Sequence, residues 1–273
     1  MLQKTIDFSR YTSVKIGSIQ PLNYIESLRD YDNLLQSSTP LNIIGRANNL
    51  LISPNARNLI ALSKEFDYIK DLGSALEVGA ATPSGKLFSY AKRHNLTGFE
   101  ILSKLPGSIG GIIKMNAGLK TYEIKDILDG IFILDSNVKL KFKSVESLGL
   151  TYRNSAIPEL IFAGIFKKQK GFNAKLVETF AKMRANQPKE PSFGSCFKNP
   201  KGNFAGALLE QAGLKGVKFG KNQSLMFSPL HANFLINLGN SSFEEALDVI
   251  VLAKEKVYKE SKILLDEEVK IIF

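Results

Sequence analysis

The chain has 273 residues, of which 44% are hydrophobic and 23% charged. That is enough apolar material to offset backbone ordering across two or three modest domains, which excludes disorder on a large scale. A single cysteine excludes an internal disulfide, and His94, His231 and Cys196 stand too far apart in sequence for metal-ligand spacing, so no metal site is expected. The formal net charge of +10 favours anionic partners, but the lysines are spread along the chain and form no single tract, which argues against nucleic acid.

The opening residues MLQKTIDFSRYTSV lack the apolar run of a secretory signal, and no window approaches the roughly 20 apolar residues that span a bilayer. The expectation is a soluble, cytoplasmic protein with no membrane insertion. Between Leu41 and Leu62 short apolar runs are broken by Gly45, Asn48, Asn49, Pro54 and Asn55, which predicts short strands joined by tight loops. Glu77 to Gly79 continues that pattern. Ser84 to His94 places Leu87, Tyr90 and Ala91 at helical spacing, and Ile131 to Val145 alternates through Phe132, Leu134, Val138, Leu140 and Phe142.

A second regime begins near Gly171. NAKLVETFAKMRANQP spaces Leu176, Val177, Phe180 and Met183 as a helix that stops at Pro188. Residues 203–213 predict another helix with Phe204, Ala207, Leu208 and Ala212 on its apolar face and Gly213 at its end. Ser242 and Glu245 form a capping-box signature ahead of a helix whose face is Phe243, Ala246, Leu247, Ile250 and Val257. An extended run, LLDEEVKIIF, closes the chain. The fold class is α+β, with a boundary near residues 165–172.

Two loops are suited to close backbone approach. IIGRANNLL, residues 43–51, reads equally as a phosphate-binding turn or a plain β-turn. LPGSIGGIIKMNAG, residues 105–118, packs glycines among apolar positions as a cofactor-facing loop or a turn-rich crossover, and it is neither a dinucleotide fingerprint nor a P-loop. Arg153 in LTYRNSA, Ser195 in PSFGSCFKNP and Glu268 in LLDEEVK are candidates for chemistry, each with a solvated or turn role as the alternative. Cys196 invites a thiol reading, while the absence of a GxSxG elbow disfavours a serine hydrolase.

In order along the chain, YTSVKIG, IGRANNLLIS, GFEILSKLPGSIGGIIKMNAG, YRNSA, RANQP, GSCFKNP, ALLEQAGLKG, HANFLIN and DEEVKII resemble the UDP-N-acetylenolpyruvoylglucosamine reductases, the MurB family. The resemblance runs from Tyr11 to the last strand and implies a vanillyl-alcohol-oxidase-type FAD-binding domain followed by a smaller α+β substrate domain. The expected bounds are 1–168 for the FAD domain, split near 62, then 169–262 for the substrate domain, and 263–273 for a terminal strand returning to the FAD domain. It implies NADPH-dependent reduction of UDP-N-acetylglucosamine enolpyruvate through non-covalent FAD, in peptidoglycan synthesis and thereby in cell-wall biogenesis, cell shape and division. A monomer is expected. The alternatives are another FAD-linked oxidoreductase on the same scaffold and a basic nucleic-acid-binding protein.

By the same resemblance Ser195 supplies a proton to the substrate carbanion, and Arg153 and Glu268 match the residues that stabilise the enolate. Cofactor contacts fall on Gly45, Arg46, Ala47, Asn48, Asn49 and Leu50, on Pro106, Gly107, Ser108, Gly110 and Gly111, on Asn116, Ala117 and Gly118, and on Arg184. Gln187, Lys198, Asn199 and His231 match substrate contacts, and Cys196 becomes a small buried packing residue. The chain departs from the family in two places. The usual GGGSN loop is Gly45-Arg46-Ala47-Asn48-Asn49, so Arg46 and Ala47 must adopt its backbone form, and the extra tyrosine-bearing loop of the longer family type has no counterpart.

Overall fold

Leu76 and Val78 are fully buried on the strand Ala75–Gly79, which lies next to the edge of a five-stranded sheet. The computed structural model describes residues 1–36 and 39–273. It orders that sheet as Leu140–Ser144, Leu128–Leu134, Ala163–Lys167, Ala75–Gly79 and Ile69–Asp71. Every pairing in it is antiparallel.

Three helices add side chains to this core. Ser84–Arg93 contributes Leu87 and Ala91, Ile109–Lys114 contributes Ile109, Ile112 and Ile113, and Ala174–Met183 contributes Phe180, all in one cluster with the strand residues. Burying a phenylalanine stabilises by about 1.5–3 kcal/mol, and Phe180 is fully buried. This helix ends at Met183, earlier than the stop expected at Pro188. A smaller sheet pairs Asn23–Ile25 in parallel with Ile60–Leu62, and Asn42–Ile43 in parallel with Leu59–Ile60. Ile25, Tyr31, Ile60 and Phe162 fill the cluster associated with it.

The alternation at 131–145 forms a hairpin, but its apolar residues do not all face a core. Leu140 and Phe142 lie on an edge strand, 41% and 45% exposed, and Phe142 meets Phe132 ring to ring at 5.8 Å across the pair. Cross-strand aromatic contact satisfies these side chains without enclosure.

The second compact unit is built on a sheet ordered Ser192–Ser195, Phe234–Asn237, Leu225–Phe227 and Lys218–Phe219. The helices Ala205–Gln211 and Phe243–Ser261 pack into the same core cluster. Ser242 and Glu245 make the expected capping box. The face expected for 203–213 is corrected in part: Leu208 is buried as expected, but Phe204 is 73% exposed and Ala207 is exposed, and Ala205 and Leu209 are buried in their place. The helix starts one residue after Phe204, so its i, i+3, i+4 stripe begins at Ala205. Lys270–Ile272 runs parallel to Leu50–Ile52.

The first unit consists of residues 1–4, 22–46 and 58–185, and the second of 5–21, 47–57 and 186–273. The helix Ala174–Met183 lies beyond the boundary region near 165–172, yet its Phe180 belongs to the first core. No helix among the described residues is long and apolar enough to cross a membrane.

Candidate active site

Ala47 sits at φ +47°, in the left-handed region that favours glycine, and is 2% exposed. Ser13 fixes it from within the second unit: its N–H donates to the Ala47 carbonyl at 3.2 Å and its hydroxyl to the Asn48 carbonyl at 3.0 Å. The Asn48 Oδ1 atom is buried and has no hydrogen-bond partner among the described residues. An amide left so incurs a desolvation cost unless a ligand group meets it. Asn49 donates from Nδ2 to the Glu268 carbonyl at 2.8 Å, and its own carbonyl accepts from the Lys270 N–H at 3.0 Å. Leu50 is the first residue of the strand paired with the C-terminal one.

In the first unit, Gly45 lies against Ser108 so closely that a Cβ would stand 2.5 Å from Oγ. Gly107 has φ +130°, and Gly110 leaves no room for a side chain, since its Cβ would stand 2.9 Å from that of Ala80. The N–H groups of Ile109 and Gly110 donate to the Thr82 and Ala80 carbonyls, both at 2.9 Å. The helix start is therefore tied to the turn before Ser84. Pro106 and Gly111 are exposed and Arg46 is exposed.

Asn116 is fully buried at φ +40°. Its Nδ2 donates to Glu123 Oε2 at 3.0 Å and the Thr151 carbonyl at 2.9 Å, and its Oδ1 accepts from Lys125 N–H at 3.3 Å. The side chain is engaged inside the fold, and the N–H groups of Asn116 and Ala117 donate to the Ile113 and Ile112 carbonyls, both at 2.9 Å. Gly118 accepts from the Arg153 guanidinium at 2.6 Å. Arg153 itself has φ +52° in a tight turn closed by the Thr151 and Asn154 pairing, and its guanidinium lies 5.0 Å from the Tyr152 ring centroid. Burial, and then the Arg153 charge, hold Arg184 below its usual value. Arginine stays cationic regardless, so the two guanidiniums favour an anion at that place.

Ser195 ends a strand whose register slips: Ser192 pairs with Ile236 but Ser195 with Phe234, with Gly194 at φ +85°. Such a bulge bends the strand and re-aims the side chain next to it. Immediately beyond, Glu268 N–H donates to the Cys196 carbonyl at 2.8 Å and Lys198 N–H to the Asp266 carbonyl at 2.8 Å, while Phe197 bridges to Glu267. Ser195 and Glu268 therefore stand on adjacent extended segments of one unit. Cys196 between them is fully buried, and burial, followed by Glu267 and Glu268, pushes its thiol well above the usual range. It is a packing residue, because the reactive form of cysteine is the thiolate.

Lys198 and Gln187 are half-buried. Asn199 accepts from Ala205 N–H at 3.0 Å and so holds the start of the helix, which leaves Nδ2 as the group suited to an anionic oxygen. His231 Nδ1 accepts from Asn233 N–H at 3.3 Å, and burial, with a smaller contribution from Lys215, holds the imidazole below its usual value. The neutral ring with its proton on Nε2 is the form this contact selects.

Each unit by itself carries features suited to a flavin nucleotide: in the first, glycines flank Ser108 closely, and in the second, Asn48 offers a buried acceptor unmatched among the described residues. Sequence reasoning missed the link from Asn49 to Glu268 and the grip of the Asn233 amide on the Phe197 backbone. The segment HANFLIN carried the second signal, a buried-pattern run with one asparagine inside it.

The C-terminal domain of UDP-N-acetylenolpyruvoylglucosamine reductase, as a family, matches residues 187–272. A UDP-N-acetylenolpyruvoylglucosamine reductase of Helicobacter hepaticus is 49% identical over 98% of both chains, and one of Helicobacter pylori 46% identical over 100% of both. The crystal structure of the Thermus caldophilus enzyme (MurB) superposes with a TM-score of 0.85 at 28% identity, covering 100% of each chain.

Proposed function

The chain belongs to the UDP-N-acetylenolpyruvoylglucosamine reductase family, and we propose that it reduces UDP-N-acetylglucosamine enolpyruvate to UDP-N-acetylmuramate at the expense of NADPH. The reaction belongs to peptidoglycan precursor synthesis, a cytoplasmic step on which cell shape and division depend. Bound FAD supplies the hydride-carrying chemistry between the two substrates. It would be held by the 45–50 loop, by residues 106–111 and 116–118, and by Arg184, with Arg46 adding charge near the phosphates.

The chain's own residues divide the rest of the work. The Arg153 guanidinium favours negative charge developing on the carboxyl-conjugated carbon of the substrate. Glu268 assists by carrying or sharing a proton, since a bare ionised carboxylate would oppose that charge. Ser195 then gives its hydroxyl proton to the carbon. A serine is a poor acid in water, but the acceptor is strongly basic, so the transfer is downhill once the two atoms are held in line. Lys198, Asn199, Gln187 and His231 hold the carboxylate and diphosphate of the substrate. The net charge of +10 suits two anionic substrates.

The observation that carries this reading is the pairing of the Cys196 carbonyl with Glu268 N–H, which brings the backbone next to Ser195 against that of Glu268 and leaves the Cys196 thiol buried. The test is the visible spectrum of the purified protein, then NADPH oxidation with and without the enolpyruvyl sugar nucleotide. Flavin absorbance and substrate-dependent oxidation are expected. Absence of flavin after reconstitution with FAD, or oxidation indifferent to the sugar nucleotide, would overturn the assignment.

A further inference from the structure

After the bulge at Ser192–Ser195 the regular ladder with Phe234–Asn237 has ended, and the next three residues still need partners for their backbone. For Phe197 one side chain provides them. Asn233 is 3% exposed; its Oδ1 accepts from Phe197 N–H at 3.0 Å while its Nδ2 donates to the Phe197 carbonyl at 2.8 Å. Its own carbonyl accepts from Cys196 N–H at 2.7 Å. The amide thus imitates the next peptide of a partner strand, meeting both polar groups of a fully buried residue. On the other side the same segment receives Glu268 and Val269 N–H at the Cys196 carbonyl, at 2.8 and 3.3 Å.

Resting on the reading of Ser195 as the proton donor, we propose that Asn233 is a positioning residue that sets the Ser195 hydroxyl for proton transfer. The Ser195 turn is anchored chiefly from its C-terminal side, because Gly194 at φ +85° precedes it and imposes no side-chain restraint. Asparagine alone carries a planar donor and acceptor of the right reach. Aspartate keeps the acceptor for Phe197 N–H but sets a carboxylate against the Phe197 carbonyl, and alanine loses both contacts. Misplacement of a reacting group by about 1 Å costs on the order of 100-fold in rate. The proton-transfer half-reaction should bear that loss, since Asn233 meets the Cys196–Phe197 backbone directly and reaches the cofactor loop only through Glu268 and Asn49.

The test compares Asn233→Asp, Asn233→Ala and Ser195→Ala as flavin-loaded enzymes, with rates normalised to bound flavin so that partial unfolding does not enter. For the Asn233 variants the expected result is a fall in kcat of about 10- to 100-fold with KM within about threefold, flavin reduction by NADPH within about twofold of normal, and a larger solvent hydrogen isotope effect on kcat. Asn233→Asp is isosteric and retains one of the two contacts, so it decides the matter if Asn233→Ala does not fold. Normal kcat and isotope effect in a folded Asn233→Asp enzyme, beside a collapsed Ser195→Ala enzyme, would overturn the positioning role. Equal loss in both half-reactions would overturn it as well. Normal turnover by Ser195→Ala would instead overturn the assignment of Ser195 itself.

Discussion

Cys196 and Ser195 are neighbours with opposite fates, and burial separates them. The thiol is fully enclosed and raised well above its usual range, whereas Ser195 is half-buried beside a bulge. Native protein should therefore give no thiol reaction with a disulfide reagent at about pH 8 and one equivalent after unfolding in denaturant. Cys196→Ala should keep turnover within about twofold and lose about 1–2 kcal/mol of stability through the small void. Rapid labelling of the folded protein would contradict this. From sequence the thiol reading could not be dismissed on the residues alone, because enclosure comes from Phe193, Phe197 and Leu265, which lie with Cys196 in the core cluster. Ala47 was legible as a problem and illegible as a solution: its left-handed backbone is held through Ser13, distant in sequence.

Elements with local causes were legible, and those with distant causes were not. The helix Phe243–Ser261 begins where Ser242 and Glu245 exchange hydrogen bonds, Glu245 N–H to Ser242 Oγ at 3.2 Å and Ser242 N–H to Glu245 Oε2 at 2.9 Å. A capping box of this kind is written in four consecutive residues. Ser242→Ala should lower the unfolding free energy by about 1 kcal/mol, read as a shift in denaturant midpoint at unchanged slope, whereas an unchanged midpoint would mean the cap is idle. By contrast the helix Ala205–Gln211 takes its first hydrogen bond from Asn199 across the Pro200–Phe204 turn, which moves its start and leaves Phe204 exposed. The edge strand Leu140–Ser144 likewise has an apolar alternation that no local signal distinguishes from a core strand.

At the scale of the molecule, the α+β class and the order of motifs were visible because several separated segments had to agree. The composition of each compact unit was not. Val14, Ile16 and Leu51 belong to the same core as Leu208, Phe227 and Ile250, so the second unit draws on three stretches of chain. Residues 186–273 expressed alone should fail to fold cooperatively, giving no sharp thermal transition and binding a hydrophobic dye, because the core lacks those three side chains and the Leu50–Ile52 partner of the C-terminal strand. A sharp two-state transition in that fragment would contradict the shared core.

The parallel pairing of Lys270–Ile272 with Leu50–Ile52 bears on the order of events during translation. Residues near the N-terminus emerge from the ribosome long before their strand partner exists, and at roughly 5–20 residues per second the interval is on the order of ten seconds or more. Throughout that time Leu51 and Ile52, both fully buried in the finished protein, have nowhere to go. The first unit draws only on residues up to Ala185 and can close on the nascent chain, but the second waits for its final strand. Its apolar surface is then open to chaperones and to its neighbours on the same polysome.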